Sequence, residues 1–212
     1  LPFFPLHKRP DGSPITAAPR LPLTADVARF VGDAVALVVA ETLHAARDAA
    51  ELIEVEWAPL PAVVDMDSAL APDAPLVWPP ASGNVAAWYE FGNDANVEQA
   101  LAAARHRVHV RIVNNRVVSN PIEPRAAIGE YDAASGRYTL HCCSQGTHLV
   151  QKCLAEAVFR IPLDKLRVVT PDVGGGFGTK VYPYPEYAAV LWAARRTGRP
   201  VKWLSDRSEA FL

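Results

Sequence analysis

The spacing of apolar residues predicts a strand, a helix and a second strand in the first third of the chain. Residues 35–40 form a continuous apolar run with the length and β-branching of a buried strand. From Glu41 to Ile53 the apolar residues recur at helical spacing, which predicts one buried helix face. Residues 54–57 then alternate as a half-buried strand. Together these elements predict a small α/β core for residues 20–70.

A proline-rich connector over residues 72–84 separates this part from the rest, where the pattern restarts. Residues 96–104 are rich in alanine and predict a short helix. Residues 105–113 alternate strictly between apolar and polar, which predicts a strand with one solvent-exposed face. Two further strands, joined by a turn, are predicted over residues 127–131 and 137–142.

The last third of the chain predicts two helices, each of which follows a strand. Between Ser144 and Pro162 the predicted buried stripe consists of Leu149, Val150, Cys153, Leu154, Ala157 and Val158. A short strand is predicted over residues 166–170. Residues 185–197 predict a second helix, with proline at its first position and glycine just beyond its end. Residues 201–203 predict a final strand.

Composition allows a substantial hydrophobic core and argues against nucleic acid as the main partner. The chain has 212 residues, half of them hydrophobic, and a net charge of −2 with no long basic run. It has no apolar run long enough to cross a membrane. Its three cysteines do not form a disulfide framework, which favours a reducing, cytoplasmic location.

We predict two domains, residues 1–80 and 81–212, and we expect the second to be incomplete.

Residues 171–186 carry the strongest chemical signal. Phe177 is surrounded by four glycines, Gly174, Gly175, Gly176 and Gly178, and we call residues 174–180 the glycine loop. Glycine lets the backbone approach a ligand closely and lets several N–H groups point at one spot. The glycines lie between a predicted strand and a helix N-terminus, a position that favours negative charge. The spacing fits neither a Walker A loop nor a Rossmann fingerprint, and a tight turn without a ligand stays an alternative.

Gln145 follows the strand at 137–142 just as the glycine loop follows the strand at 166–170. Because ligands bind at the carboxyl ends of strands in α/β sheets, we expect Gln145 and the glycine loop to form one site. The alternative for Gln145 is a solvent-facing loop amide. The histidines show no metal or triad spacing, and we expect no metal ligation by the cysteines.

Several motifs in order along the chain resemble the xanthine dehydrogenase/aldehyde oxidase family. Residues 31–36, with the following helix and residues 54–57, are similar to its α/β hammerhead domain. The start of its molybdopterin-binding domain is similar to five motifs here: residues 121–125, 144–146, 174–180, 184–186 and 199–203. Within the family, the chain most resembles the large chain of aerobic carbon monoxide dehydrogenase. The implied fold is a small hammerhead domain followed by the first part of a molybdopterin-binding domain, of mixed α+β and α/β class.

The resemblance implies part of the large subunit of a molybdenum hydroxylase, which oxidises carbon monoxide, an aldehyde or a heterocycle with oxygen from water. The implied cofactor is a molybdenum-pterin, in the form of molybdopterin cytosine dinucleotide. The implied partners are the remainder of the large subunit and subunits or domains that carry 2Fe–2S clusters and FAD. The family's catalytic glutamate lies beyond the end of this chain, so we expect the isolated chain to lack cofactor and activity.

The resemblance also assigns roles to individual residues. Gln145 would lie beside the molybdenum and donate to a ligand oxygen or a pterin edge, and the backbone around Phe177 would donate an N–H to an oxo ligand. The implied cofactor-binding set is Gln145, Gly146, Gly175, Gly176, Phe177 and Gly178, of which Gln145 and Phe177 are the implied catalytic residues. Val181 stands where xanthine-oxidising relatives have a glutamate, which disfavours purines. Two alternatives stay open: a non-enzymatic assembly module, and a phosphate- or nucleotide-binding α/β domain.

Overall fold

The structure, a computed structural model, describes residues 12–13, 20–87 and 91–211. Its four strands are β1 (Ala126–Asp132), β2 (Arg137–Cys142), β3 (Leu166–Val169) and β4 (Val201–Leu204). Its α-helices are α1 (Leu43–Glu51), α2 (Met66–Ala69), α3 (Asp94–Ala103), α4 (Thr147–Lys152) and α5 (Pro185–Thr197). None of the helices in these ranges combines the length and the apolar character needed to cross a bilayer.

The strands form one mixed sheet in the order β3-β2-β1-β4. Strand β1 pairs antiparallel with both β2 and β4, whereas β2 and β3 are parallel. Parallel neighbours need a crossover connection, and α4 with the turn after it supplies that connection. The expected mixture of α+β and α/β architecture is therefore confirmed.

The core lies between this sheet and helices α4 and α5. Its centre is formed by side chains with almost no exposed surface, among them Leu140, Val150, Leu154, Leu166, Tyr187 and Leu191. Helix α5 comes unusually close to strand β1 at Gly129. A Cβ atom there would lie 2.6 Å from the backbone of Val190. Glycine at this position therefore sets the distance between the helix and the sheet.

The crossover helix differs from the regular helix that the sequence predicts. Residues 153–159 form a π-helical turn, and the helix ends at Arg160, which has a φ of 53°, rather than at Pro162. A π turn holds one extra residue, which rotates the following side chains around the helix axis. The predicted stripe consequently fails in part, because Ala155 is buried whereas Ala157 is exposed. Cys153 is fully buried, as expected.

The predicted core of residues 20–70 is wrong. Helix α1 is present and begins after Thr42, whose side-chain oxygen accepts a hydrogen bond from Ala45. Neither residues 35–40 nor residues 54–57 belong to a sheet, and none of the described residues 20–70 is buried. An extended apolar segment becomes a strand only when another strand supplies hydrogen-bonding partners, which local periodicity cannot reveal.

The strand predicted over residues 105–113 is also absent. These residues carry no ladder hydrogen bonds, and all of them are exposed. Even on the apolar face Val108 is 85% exposed and Ile112 is 82% exposed. The same reason applies, since alternation predicts a strand but not its partner. The helix predicted before this segment is confirmed as α3, which Asn93 caps by accepting from the amide of Asn96.

The described residues fall into two compact units that do not follow chain order. The first contains residues 20–62 and 119–211, and the second contains residues 12–13, 63–87 and 91–118. Within the second unit, the side chain of Asn84 bonds to the backbone of Ala69, Pro75 and Val77 and closes the proline-rich connector into a compact loop. The predicted division into residues 1–80 and 81–212 stays a prediction.

Candidate functional site

The parallel pairing of β2 with β3 brings two loops together at one edge of the sheet. Residues 143–146 leave the end of β2, and the glycine loop leaves the end of β3. The hydroxyl of Thr170 donates to the carbonyl of Cys142 at 2.9 Å, and the amide of Gln145 donates to the carbonyl of Lys180 at 2.9 Å. The expectation that Gln145 and the glycine loop lie together is thus met by the geometry.

The side chain of Gln145 is held by the backbone of the glycine loop. Its oxygen Oε1 accepts from the amide of Gly178 at 3.1 Å and from the amide of Lys180 at 3.3 Å. Because both partners are N–H donors, the atom between them must be the oxygen of the amide. The Nε2 group therefore points away from these donors, and it has no hydrogen-bond partner among the described residues.

Gly176 makes room for this arrangement. A Cβ atom at Gly176 would lie 2.4 Å from Cδ and 2.5 Å from Oε1 of Gln145. Those distances are far inside van der Waals contact, so any other residue at this position would displace the Gln145 side chain. Gly146, also in the predicted set, is the N-cap residue of helix α4, and a Cβ atom there would lie 3.9 Å from the carbonyl oxygen of Val181.

The backbone of the glycine loop turns through several left-handed conformations. Gly175 and Gly178 have φ values of 95° and 86°, which glycine adopts without strain. Phe177 has a φ of 49°, and the residue is 73% exposed. A bulky residue in this region is strained, and strain kept at an exposed position is typical of functional loops. The hydroxyl of Ser119 holds the carbonyl of Phe177 at 3.3 Å.

Most amides of the glycine loop already have partners. The amide of Gly174 donates to Glu123, that of Gly175 to the carbonyl of Val173, and that of Thr179 to the carbonyl of Gly176. With Gly178 and Lys180 bonded to Gln145, the two that have no acceptor among the described residues are the amides of Gly176 and Phe177. These two neighbouring N–H groups are the donors that the loop offers to a ligand.

An ion pair between a buried lysine and a partly exposed glutamate, which no sequence pattern predicted, links the two ends of the glycine loop. Lys180 is 1% exposed, and its Nζ lies 2.7 Å from Oε2 of Glu123. The same oxygen accepts from the amide of Gly174 at 2.8 Å. Burial acts to raise the pKa of Glu123, but the hydrogen bonds from Lys180 and Gly174 and the charge of Lys180 lower it overall. The two partners are 57 residues apart, and no local pattern links them.

Arg125 and Tyr184 connect the loop to the start of helix α5. The guanidinium carbon of Arg125, a buried residue, lies 4.1 Å from the centre of the Tyr184 ring, and the Tyr184 hydroxyl donates to the carbonyl of Thr179. Burial raises the pKa of Tyr184, which Arg125 partly opposes. It also raises the pKa of Glu186, whose Oε2 atom is buried without a hydrogen-bond partner. The groups that connect the glycine loop to helix α5 are thus largely removed from water.

Comparison with known families matches both parts of the chain. The molybdopterin cofactor-binding domain family matches residues 77–212, and the hammerhead domain family of aldehyde oxidase and xanthine dehydrogenase matches residues 5–61. Among solved structures, quinoline 2-oxidoreductase from Pseudomonas putida 86 is 35% identical with a TM-score of 0.80, covering 90% of this chain and 24% of that one.

Two curated relatives show the same relationship. The carbon monoxide dehydrogenase large chain of Hydrogenophaga pseudoflava is 33% identical over 88% of this chain and 26% of its own length. The nicotine 6-hydroxylase large subunit of Paenarthrobacter nicotinovorans is 35% identical over 91% of this chain and 23% of its own length. The chain therefore spans about a quarter of the length of these relatives. It belongs to the xanthine dehydrogenase/aldehyde oxidase family of molybdenum hydroxylases, with a hammerhead domain followed by sequence of the molybdopterin cofactor-binding domain.

Proposed function

We propose that this chain supplies one wall of the molybdenum-pterin site in the large subunit of a molybdenum hydroxylase. The substrate would be carbon monoxide, an aldehyde or a heterocycle, with water as the oxygen donor. The observation that carries the proposal is the anchored amide of Gln145. Its oxygen is fixed by Gly178 and Lys180, so its NH₂ group is directed away from the loop that holds it.

The residues present fit an oxygen-rich, electron-rich ligand. The groups left for such a ligand are the NH₂ group of Gln145 and the amides of Gly176 and Phe177, and all of them are donors. The missing Cβ at Gly176 keeps the Gln145 side chain close to the loop. Fixed donors stabilise negative charge without having to reorganise during a reaction. A molybdenum-pterin carries the oxo and pterin oxygens that this donor set suits.

Each of these residues has a role that follows from its contacts. Gln145 would orient the cofactor by donating to one of its oxygens, and Gly176 and Phe177 would donate backbone N–H groups. Gly175 and Gly178 would shape the loop, and Gly146 would place Gln145 at the start of helix α4. When bound, the cofactor supplies oxygen transfer and accepts two electrons from the substrate. The protein residues bind and orient it, and we propose that a glutamate outside this chain is the catalytic base.

The wider assembly is also a proposal. We propose that the molybdopterin cytosine dinucleotide form is bound, and that subunits or domains with 2Fe–2S clusters and FAD carry the electrons away. The support is likeness to enzymes described as large or molybdenum-binding subunits. Because the chain spans about a quarter of those relatives, we propose that it needs the remainder of the large subunit for cofactor binding and turnover. Cytoplasmic location stays a prediction.

The test is to co-express the chain with the remaining portion of the large subunit and its partner subunits, and to compare Gln145→Ala with the parent. We expect Gln145→Ala to lower turnover or molybdenum content at least about tenfold, since one lost donor to a charged acceptor is worth a factor of this size. Gln99→Ala, an identical substitution at an exposed position on helix α3, is the matched control. Unchanged molybdenum content and turnover in Gln145→Ala would contradict the proposal and favour the assembly module. Micromolar binding of a nucleoside diphosphate to the chain without pterin would favour the nucleotide-binding alternative.

A further inference from the structure

The ion pair between Glu123 and Lys180 is unusual because the cation is almost completely removed from water. Lys180 is 1% exposed, whereas the side chain of Glu123 is 37% exposed. A buried ammonium is costly unless it is paired and hydrogen-bonded. Among the described residues, Glu123 is the one carboxylate within ion-pair distance of Lys180. The position of the lysine is therefore tied to that of this glutamate.

One oxygen atom of Glu123 joins both ends of the glycine loop. Oε2 accepts from the amide of Gly174 at the start of the loop and from Nζ of Lys180 at its end. The backbone adds a second link, because the amide of Glu123 donates to the carbonyl of Gly174 at 3.2 Å. Glycine-rich segments are the most conformationally free in a chain, so their geometry has to be fixed from outside.

The same lysine connects this clamp to Gln145. The backbone amide of Lys180 donates to the Gln145 side chain, and its carbonyl accepts from the Gln145 amide and, at 3.4 Å, from the hydroxyl of Ser144. A shift of Lys180 would therefore move an N–H donor that holds the Gln145 side chain and the carbonyl that accepts from the Gln145 backbone amide. A shift at Gly174 would move the neighbouring amides of Gly176 and Phe177. The side chains of the ion pair contact the ends of the loop and are not themselves among the donors left for a ligand.

We propose that Glu123 and Lys180 are a positioning pair, which closes the glycine loop and fixes the directions of the Gly176 and Phe177 amides and of the Gln145 NH₂ group. The effect of the pair on catalysis rests on the proposed function, because the pair would act on the cofactor through the loop. The effect of the pair on the order of the loop does not depend on a cofactor. The two levels can be tested separately.

The first experiment measures amide hydrogen exchange in the full 212-residue chain, comparing Lys180→Met with the parent. Methionine fills a similar buried volume without a charge and leaves Glu123 partly solvated. We expect exchange at the backbone amides of Gly174, Gly178 and residue 180 to accelerate about tenfold or more, because the ion pair no longer holds the loop ends together. Amides of strands β1 and β2 should be unchanged. Lys180→Arg, which keeps the charge, should restore at least part of the protection.

The second experiment measures the assembled enzyme with the same variants. We expect Lys180→Met to lower kcat about tenfold with little change in KM and to alter the molybdenum(V) electron paramagnetic resonance signal, while Lys180→Arg recovers part of the loss. Glu123→Gln, which keeps the shape of the side chain but not its charge, should act in the same direction.

The outcomes distinguish this inference from the proposed function. Unchanged loop exchange in both Lys180→Met and Glu123→Gln would overturn the positioning role. The positioning role would also be overturned if Lys180→Met and Glu123→Gln speed up loop exchange but leave kcat and the molybdenum(V) spectrum unchanged. If Gln145→Ala inactivates the same enzyme, the proposed function is retained. If Gln145→Ala has no effect either, the proposed function fails, and the exchange data alone decide whether the pair orders the loop.

Discussion

The side-chain oxygen Oε1 of Gln145 lies 3.1 Å from the amide nitrogen of Gly178. This single relationship gives the glutamine amide a direction, because the oxygen must face the backbone donor and the nitrogen must face away from it. An amide that could rotate freely would offer a donor and an acceptor equally. Held in this way, Gln145 offers donors alone, and the predictions for the site follow from that asymmetry.

Replacing Gln145 with glutamate should separate the two functions of its side chain. A carboxylate still accepts from Gly178 and Lys180, so loop order, measured by hydrogen exchange at those amides, should be retained. It has no N–H group and adds a negative charge toward the ligand, so turnover of the assembled enzyme should fall about a hundredfold or more. Gln145→Ala, which loses the acceptor as well, should also loosen the loop. Normal turnover in Gln145→Glu would contradict the assigned orientation.

Replacing Gly176 with alanine should displace Gln145 without unfolding the protein. The new methyl group would overlap the end of a flexible side chain, which can rotate away, so the unfolding free energy should fall by only about 1 kcal/mol. Exchange at the Gly178 and Lys180 amides should accelerate as their acceptor leaves. Gly83→Ala, at a glycine with no atom near its added Cβ, is the control. Unchanged exchange would show that the methyl group is accommodated with Gln145 in place.

Strain at Phe177 should be measurable by comparing two truncations. Phe177→Ala and Phe177→Gly both remove the exposed ring, but only glycine adopts a φ of 49° without cost. We expect the glycine variant to have an unfolding free energy about 0.5–1 kcal/mol above that of the alanine variant, measured by urea denaturation. An alanine variant at least as stable as the glycine variant would mean that residue 177 is not strained.

Replacing Gly129 with alanine should be strongly destabilising. The added Cβ would meet the backbone of Val190 and Leu191 at 2.6–2.7 Å, and a backbone cannot swing aside as a side chain does. We expect the unfolding free energy to fall by about 3 kcal/mol, because helix α5 would have to move off strand β1. Urea denaturation of this variant beside Gly83→Ala would measure the difference. Equal stability of the two variants would contradict the close packing of α5 on the sheet.

The pH dependence of stability should carry a contribution from Glu186. Burial raises its pKa above the ordinary value of 4.5, although its own backbone amide and Arg125 oppose the shift. A raised pKa in the folded state stabilises the fold fully below pH 4.5, and that contribution is lost as the pH rises through the folded-state pKa. Glu186→Gln should remove this pH-dependent contribution. The difference in unfolding free energy between the parent and Glu186→Gln, measured by urea denaturation, should therefore vary with pH. Glu98→Gln, the same substitution at an exposed position on helix α3, is the matched control.

The elements predicted best from sequence are those that carry their own end signals. Strand β2 and helix α5 have the predicted limits, the helix because Pro185 begins it and Gly198, with a φ of 67°, ends it. The strands predicted over residues 35–40, 54–57 and 105–113 are absent. Periodicity is a property of one segment, whereas a strand also needs a second segment to pair with. The π turn after Lys152 likewise gives no local signal, since its hydrogen-bond pattern depends on how the crossover packs.

For the site, sequence reasoning could identify residue types but not their alignment. Gln145 and the glycine loop each follow a strand, and that position was enough to predict that they meet. The orientation of the Gln145 amide and the link from Glu123 to Lys180 depend on contacts between residues far apart in the chain. An ion-pairable side chain shows that a partner is needed without saying which one, so Glu123 could not be assigned to Lys180 from sequence.

The π turn in the crossover has a consequence for how the chain tolerates length changes. A π turn is a helix that has accommodated one surplus residue, so the path from strand β2 to strand β3 holds more polypeptide than a regular helix would need. Deleting one residue between Cys153 and Phe159 would convert the bulge to ordinary helical winding while both strand ends stay where they are. Homologous chains that differ by one residue in this stretch are therefore expected to keep the same spacing between their two ligand-facing loops.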